Sequence, residues 1–141
     1  MVITVVTGPP CSGKSTYVRT HARPGDIVVD FDILAQALGS PTPHDHSAAT
    51  RHVTIQARRA AIAAALTVAD KVPVWIVDCN ISPERMAAYK TAGARVVTMG
   101  AAPEVLHQRA SSGRPPRWHQ LVDRWALALG LEDPVPGSRQ W

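Results

Sequence analysis

Apolar residues along the chain fall into short β-branched runs separated by stretches with helical spacing. The run at residues 2–7, Val-Ile-Thr-Val-Val-Thr, reads as a buried strand. Similar runs at 27–30, 74–78 and 95–99 predict further strands, and Val-Trp-Ile-Val-Asp at 74–78 suits a central parallel position. Helices are predicted at 14–21, at 33–38 with Asp32 as cap and Gly39 as stop, and at 47–69. Val53, Ile55, Ile62 and Leu66 mark the apolar side of the long helix. Ser82 as N-cap and Pro83 at the first position open another helix that Gly93 ends. Two more are predicted at 102–110 and 118–129. Turn chemistry marks 23–26, the proline-broken loop 40–46 and the Gly/Pro/Arg loop 111–117. The tail 132–141, with two prolines and a terminal Trp141, is expected to pack loosely.

Strands alternating with helices argue for a parallel sheet covered on both faces, with right-handed crossovers and ligands beyond the carboxyl ends of the strands. One such end carries Gly8-Pro9-Pro10-Cys11-Ser12-Gly13-Lys14-Ser15, the G-x-x-x-x-G-K-S phosphate-binding loop, with a strand before it and a helix after it. Gly8 and Gly13 allow the tight turn that aims backbone N–H groups at phosphate oxygens. The helix N-terminus adds positive potential. Lys14 can reach the β- and γ-phosphates, and Ser15, followed by Thr16, can hold Mg²⁺. The expected fold is α/β: a P-loop NTPase-type three-layer α/β/α sandwich on a short parallel sheet of about four strands in adenylate-kinase-like order. Residues 1–141 read as a single domain, with 111–117 as its lid.

Composition narrows the partners. The net charge of +4 and pI of about 9.6 come from twelve arginines and three lysines, a balance that suits a polyanionic partner such as nucleic acid. No apolar run reaches membrane-spanning length, and the chain starts directly into a strand, so a cytoplasmic protein with no membrane contact is expected. Cys11 and Cys79 then remain thiols.

Phosphoryl transfer requires positioning, a metal, a base and cations around the transferring group. The strand ends offer a candidate for each. Asp32, past the second strand, is the candidate general base, with helix capping as its other reading. Asp30 is read as support for Asp32 or as a metal ligand. Asp78 could hold the Mg²⁺ shell together with Ser15, or orient a lid arginine, and Asn80 follows it toward the acceptor. Arg109, Arg114 and Arg117 flank a Gly/Ser/Pro loop that could close over phosphates. Arg51 and Arg58 share a helix face that, with His52, could bind a substrate phosphate or simply be solvated. His44 and His46 lack a closed zinc-type ligand set, so a polar loop or a substrate contact is expected there. Trp75, Trp118 and Trp125 are expected in the core, although Trp118 could stack on a base.

The loop Gly8–Thr16, the segment Val-Asp-Cys-Asn-Ile-Ser-Pro-Glu-Arg at 77–85, and Leu121-Val122-Asp123-Arg124-Trp125 with Leu129-Gly130-Leu131 together resemble the kinase domain of bacteriophage-type polynucleotide 5′-hydroxyl kinases. The resemblance spans most of the chain at low identity. It implies ATP-dependent phosphorylation of a 5′-hydroxyl on DNA or RNA. Lys14 and Ser15 then fall on the ATP and Mg²⁺ ligands, Asp32 on the base, Asp78 on an acidic site residue, and Arg109 and Arg114 on the lid arginines. The family's substrate-side arginine, three residues after the base, is Ala35 here. Related kinases act on hydroxyls of modified DNA bases or on nucleosides, sugars and antibiotics. A non-catalytic ATP-binding module is the other class of reading, and a motor is disfavoured because Cys79 follows Asp78.

Overall fold

Strands β1 (Ile3–Thr7), β2 (Ile27–Val29), β3 (Val74–Asp78) and β4 (Arg95–Thr98) form one parallel sheet in the order β2-β3-β1-β4 in the computed structural model, which describes residues 2–100, 103–112 and 114–128. Helices α1 (Lys14–His21), α2 (Phe31–Ala37), α3 (Ala48–Thr67), α4 (Pro83–Thr91), α5 (Pro103–Ser111) and α6 (Arg117–Ala128) intervene. This is the expected α/β sheet. The predicted tail 132–141, Gly113 of the lid and residues 129–131 lie outside the described residues.

The period of two along each strand divides the core between two faces. Ile3 and Val5 of β1 register with Val74 and Ile76 of β3, and these four pack with Ala65, Ala69 and Tyr89 beneath α3 and α4. Val6 and Val77 point the other way, toward Val18 of α1, with Trp75, Val97 and Met99 around them. Three layers follow from that alternation. Trp75 also has a polar role, because its Nε1–H donates to Asp26 at 2.9 Å. At the far end, α5 and α6 are joined by His107, whose Nδ1 lies 2.8 Å from that of His119 and whose Nε2 lies 2.9 Å from Asp123.

Several boundaries differ from the sequence reading. Asp30, not Asp32, caps α2: its Oδ1 accepts from the backbone N–H of Asp32 at 2.9 Å and of Ile33 at 3.5 Å. The helix therefore begins at Phe31, and Asp32 is released from capping. Val53 and Ile55 are exposed, so Ile62 and Leu66 alone carry the expected apolar side of α3 into the core. The lid is shorter than 111–117, because α5 runs to Ser111 and α6 begins at Arg117.

The approach of the phosphate loop to β4 is unusually close. Gly8 has φ +140°, and a Cβ there would collide with the carbonyl oxygen of Met99, whose N–H in turn donates to Thr7 at 2.7 Å. Gly8→Ala should lower unfolding stability by roughly 2–4 kcal/mol, from strain plus the clash. A denaturant midpoint equal to the wild type's would contradict that close approach.

Candidate functional site

The loop between β1 and α1 winds through positive φ at Gly8 (140°), Cys11 (63°) and Gly13 (88°), the alternation that turns successive N–H groups inward. Gly13 caps α1 with no side-chain bond, and no acidic residue sits in the first turn, so these N–H groups retain their donor capacity. Lys14 is only 6 % exposed. Its Nζ donates to the carbonyls of Gly8 at 3.0 Å and Pro9 at 2.5 Å, with Ser12 Oγ at 3.5 Å. No carboxylate among the described residues pairs with it. A buried ammonium solvated by neutral dipoles favours an added anion. Burial pushes the Cys11 thiol up, against the pull of Arg114, Lys14 and Arg109, which leaves a neutral thiol at the loop rather than a nucleophile.

Beside it, Ser15 Oγ donates to Asp30 Oδ2 at 2.5 Å. A hydroxyl and a carboxylate at the start of α1 and the end of β2 are hard oxygen donors of the kind Mg²⁺ takes. Asp78 is engaged elsewhere. It is 4 % exposed, with Arg58 Nη2 3.5 Å from Oδ2, Arg85 Nη2 3.6 Å from Oδ1, and the Tyr89 hydroxyl donating at 3.2 Å. Arg58 Nη2 also donates to Val77 O at 2.7 Å, while its Nε is buried with no partner among the described residues. Arg58 therefore belongs to the interior of the site, not to a solvated helix face.

Asp32, one residue into α2, turns its carboxylate into the same cleft. His46 Nε2 lies 2.8 Å from Oδ1 and His44 Nδ1 lies 3.0 Å from Oδ2. The lid side closes over these histidines: Arg114 Nη1 sits 2.5 Å from His44 Nδ1, and Arg117 donates to Asp45 Oδ1 at 2.7 Å. Trp118 is not a core residue. It lies half-buried under the Arg114 guanidinium at 4.8 Å, and its indole Nε1 is buried without a partner among the described residues. Arg109 instead reaches the loop, donating to Cys11 O at 3.2 Å.

Two adjoining cavities result. One, of about 520 Å³, is bounded by Ser12, Gly13, Thr16, Tyr17, Met99 and Arg109. The other, of about 650 Å³, brings together Lys14, Ser15, Asp30, Asp32, Asp78, Asn80, Arg51 and Arg58. Cys11, Gly13, Thr16 and Arg114 line both. Gly8, Pro9 and Pro10 form the base of the loop, outside both cavities, and His52 also lies outside them. Phe31 lines the larger cavity without any signal in the sequence, Arg85 does so as the end of the 77–85 segment with no site role read from it, and the contact of His44 and His46 with Asp32 is likewise new. The only sequence signal for the histidines was the His-x-His spacing, which says nothing about a carboxylate twelve residues earlier.

Residues 3–114 match the family model described as an AAA domain. The chain belongs to the AAA domain family. Among solved structures, this AAA domain is similar to a protein of Chloroflexus aurantiacus described as a candidate kinase, at 22% identity and TM-score 0.60, covering 86% of this chain and 74% of that one. It is similar to a chain of the Pnkp1/Rnl/Hen1 RNA repair complex at 16% identity and TM-score 0.60, covering 99% of this chain and 49% of that one, so it spans about half the length of the repair-complex chain. It is also similar to a gluconokinase of Sinorhizobium meliloti at 20% identity and TM-score 0.56, covering 98% and 79%. These likenesses place the AAA domain in a kinase-type P-loop fold. No curated protein matches the chain. No helix among the described residues is long and apolar enough to cross a membrane.

The Tyr89–Asp78 contact gives the AAA domain a measurable pH signature. Burial and the Asp78 charge push the Tyr89 hydroxyl up to about 12. In the unfolded chain it ionises near pH 10, so between about pH 10 and 12 the folded form binds more protons and loses stability as pH rises. The wild-type advantage over Tyr89→Phe in denaturant unfolding should be constant below about pH 10 and shrink above it. An advantage that stays constant through that window would show that the tyrosine is not held in this way.

Proposed function

We propose that this chain is an ATP-dependent phosphotransferase that moves the γ-phosphate to a hydroxyl of a polynucleotide, either a 5′-hydroxyl or a hydroxyl carried on a modified base of DNA. One observation carries the reading: the Asp32 carboxylate shares a single cavity with Lys14 and with Arg51, Arg58, Arg85, Arg114 and Arg117. The base, the phosphate cation and a cationic acceptor wall thus face one another. The resemblance of the 77–85 segment to polynucleotide kinases supports the acceptor class, as does the excess of arginine.

In this reading the triphosphate lies along the P-loop, with Lys14 and the α1 N–H groups on its β- and γ-oxygens and the base of the nucleotide toward Tyr17 and Met99. Ser15 and Asp30 would hold the Mg²⁺ ion, which supplies charge neutralisation on the phosphates. Asp32 accepts the proton of the acceptor hydroxyl while that oxygen bonds to the γ-phosphorus. The bond from the γ-phosphorus to the β–γ bridging oxygen breaks, and ADP leaves. Arg109 and Arg114 stabilise the charge on the transferring group. Arg51 and Arg58, with Asn80, contact the acceptor, and Asp78 holds Arg58 and Arg85 in place. Ala35 is fully buried in α2, so the cationic wall comes from α3, from Arg85 of α4 and from the lid instead of from the position three residues after the base.

A small-molecule acceptor (a nucleoside, sugar or antibiotic) is the second reading. It is favoured by the Arg117–Asp45 contact, which straps the start of α6 to the 40–46 loop beside a cavity of small-ligand size. Transfer from γ-labelled ATP to 5′-hydroxyl oligonucleotides, hydroxymethylated DNA, nucleosides and sugars separates the two. The proposal expects labelled polynucleotide, with Asp32→Asn reducing the rate by roughly 10²–10⁴-fold. Label found only in small molecules would transfer the site to the second reading. An Asp32→Asn variant as fast as wild type would remove the assigned base.

A further inference from the structure

His44 Nδ1 stands between two partners with opposite requirements. Asp32 Oδ2, 3.0 Å away, can only accept when ionised, and Arg114 Nη1, 2.5 Å away, can only donate. With a proton on Nδ1, the ring bonds to Asp32 and opposes Arg114. Without one, it accepts from Arg114 and turns a lone pair toward the carboxylate. The two bonds exclude each other. His46 faces no such conflict: its Nε2 meets Asp32 Oδ1 at 2.8 Å, its Nδ1 meets Ser40 Oγ at 2.6 Å, and it is buried. The backbone around His44 is pinned, because Arg117 donates to His44 O at 3.3 Å and to Asp45 at 2.7 Å. What remains free to change is the proton on the His44 ring and the place of Arg114, for which the Trp118 face at 4.8 Å is already a second contact.

We propose that His44 is a positioning residue that couples the α5–α6 loop to Asp32. While Arg114 occupies Nδ1, Asp32 is held by His46 alone. When Arg114 moves onto a phosphate oxygen, the ring's single proton shifts from Nε2 to Nδ1 through solvent, with no net proton taken up. Nδ1–H then donates to Asp32 Oδ2, and the carboxylate is fixed at both oxygens, each keeping a lone pair for an acceptor hydroxyl. The base is thus oriented only when a triphosphate has drawn Arg114 away. This rests on the reading of Asp32 as the base.

Imidazole ¹⁵N spectra of the full chain test the coupling directly. Without nucleotide, His44 should be the Nε2–H tautomer. Arg114→Ala should show the Nδ1–H tautomer without any nucleotide, and Mg²⁺ with a non-hydrolysable ATP analogue should produce the same change in the wild type. An Nε2–H ring in Arg114→Ala overturns the proposal, and that comparison needs neither nucleotide nor acceptor. In transfer assays to a 5′-hydroxyl oligonucleotide, His44→Phe should lower kcat by about 10-fold with the KM for ATP unchanged, and His44→Asn, which restores a donor, should recover most of it. Full kcat in His44→Phe beside an inactive Asp32→Asn would overturn the coupling and keep the base. Full activity in Asp32→Asn would instead remove the base reading, leaving the tautomer result to stand alone.

Discussion

A lysine ammonium buried at the mouth of β1, with carbonyls and a hydroxyl around it and no carboxylate among the described residues, is the constraint on which the rest of this structure turns. Burying a charge is costly, and dipoles from Gly8 and Pro9 offset only part of that cost. The loop that supplies those carbonyls must pass through positive φ at three positions and press against Met99. Glycine is therefore required at Gly8, and the sheet order must put β4 beside β1. The local strain, the strand order and the charge of the site are linked through this one side chain.

Around that cation the parallel sheet aims every other strand end in one direction. Asp30 is the junction. One of its oxygens caps α2, and the other takes the Ser15 hydroxyl from α1. Capping by Asp30 frees Asp32, the next acid along the chain, to face the cleft, where two imidazoles meet it. Asp78, at the end of β3, has different neighbours: two arginines and a tyrosine surround its carboxylate. Three carboxylates beyond β2 and β3 thus differ in surroundings according to their nearest donors: Asp30 meets backbone N–H groups and a hydroxyl, Asp32 two imidazoles, and Asp78 two arginines and a tyrosine.

Much of this was legible in the chain. β-Branched runs located the four strands within a residue or so, and Ser82-Pro83 fixed the start of α4, because strand burial and helix capping act over a few residues. The phosphate loop was legible because its chemistry is local. What the sequence could not show was pairing across long separations. Asp32 reads as the helix cap until the backbone N–H groups of Asp32 and Ile33 are seen bonded to Asp30, whose other oxygen takes Ser15 from α1. Arg58 looks like one of several arginines on a polar helix until Val77 and Asp78 are found against it. Trp118 reads as core by composition, yet a cation lies over its ring. Val53 and Ile55 follow the helical apolar spacing but stay exposed, Ile55 at the edge of the larger cavity. For Arg58 the deciding contacts lie nineteen residues or more along the chain, beyond the reach of any helical periodicity.

The central claim is that the uncompensated Lys14 cation selects a triphosphate. Calorimetric titration of ATP with Mg²⁺ into the wild type and into Lys14→Met, with circular dichroism to confirm that both are folded, tests it most directly. The account predicts saturable binding to the wild type and an affinity at least about 100-fold weaker in the variant, the scale expected for a buried charge-assisted contact. Equal affinities in two folded proteins would contradict it.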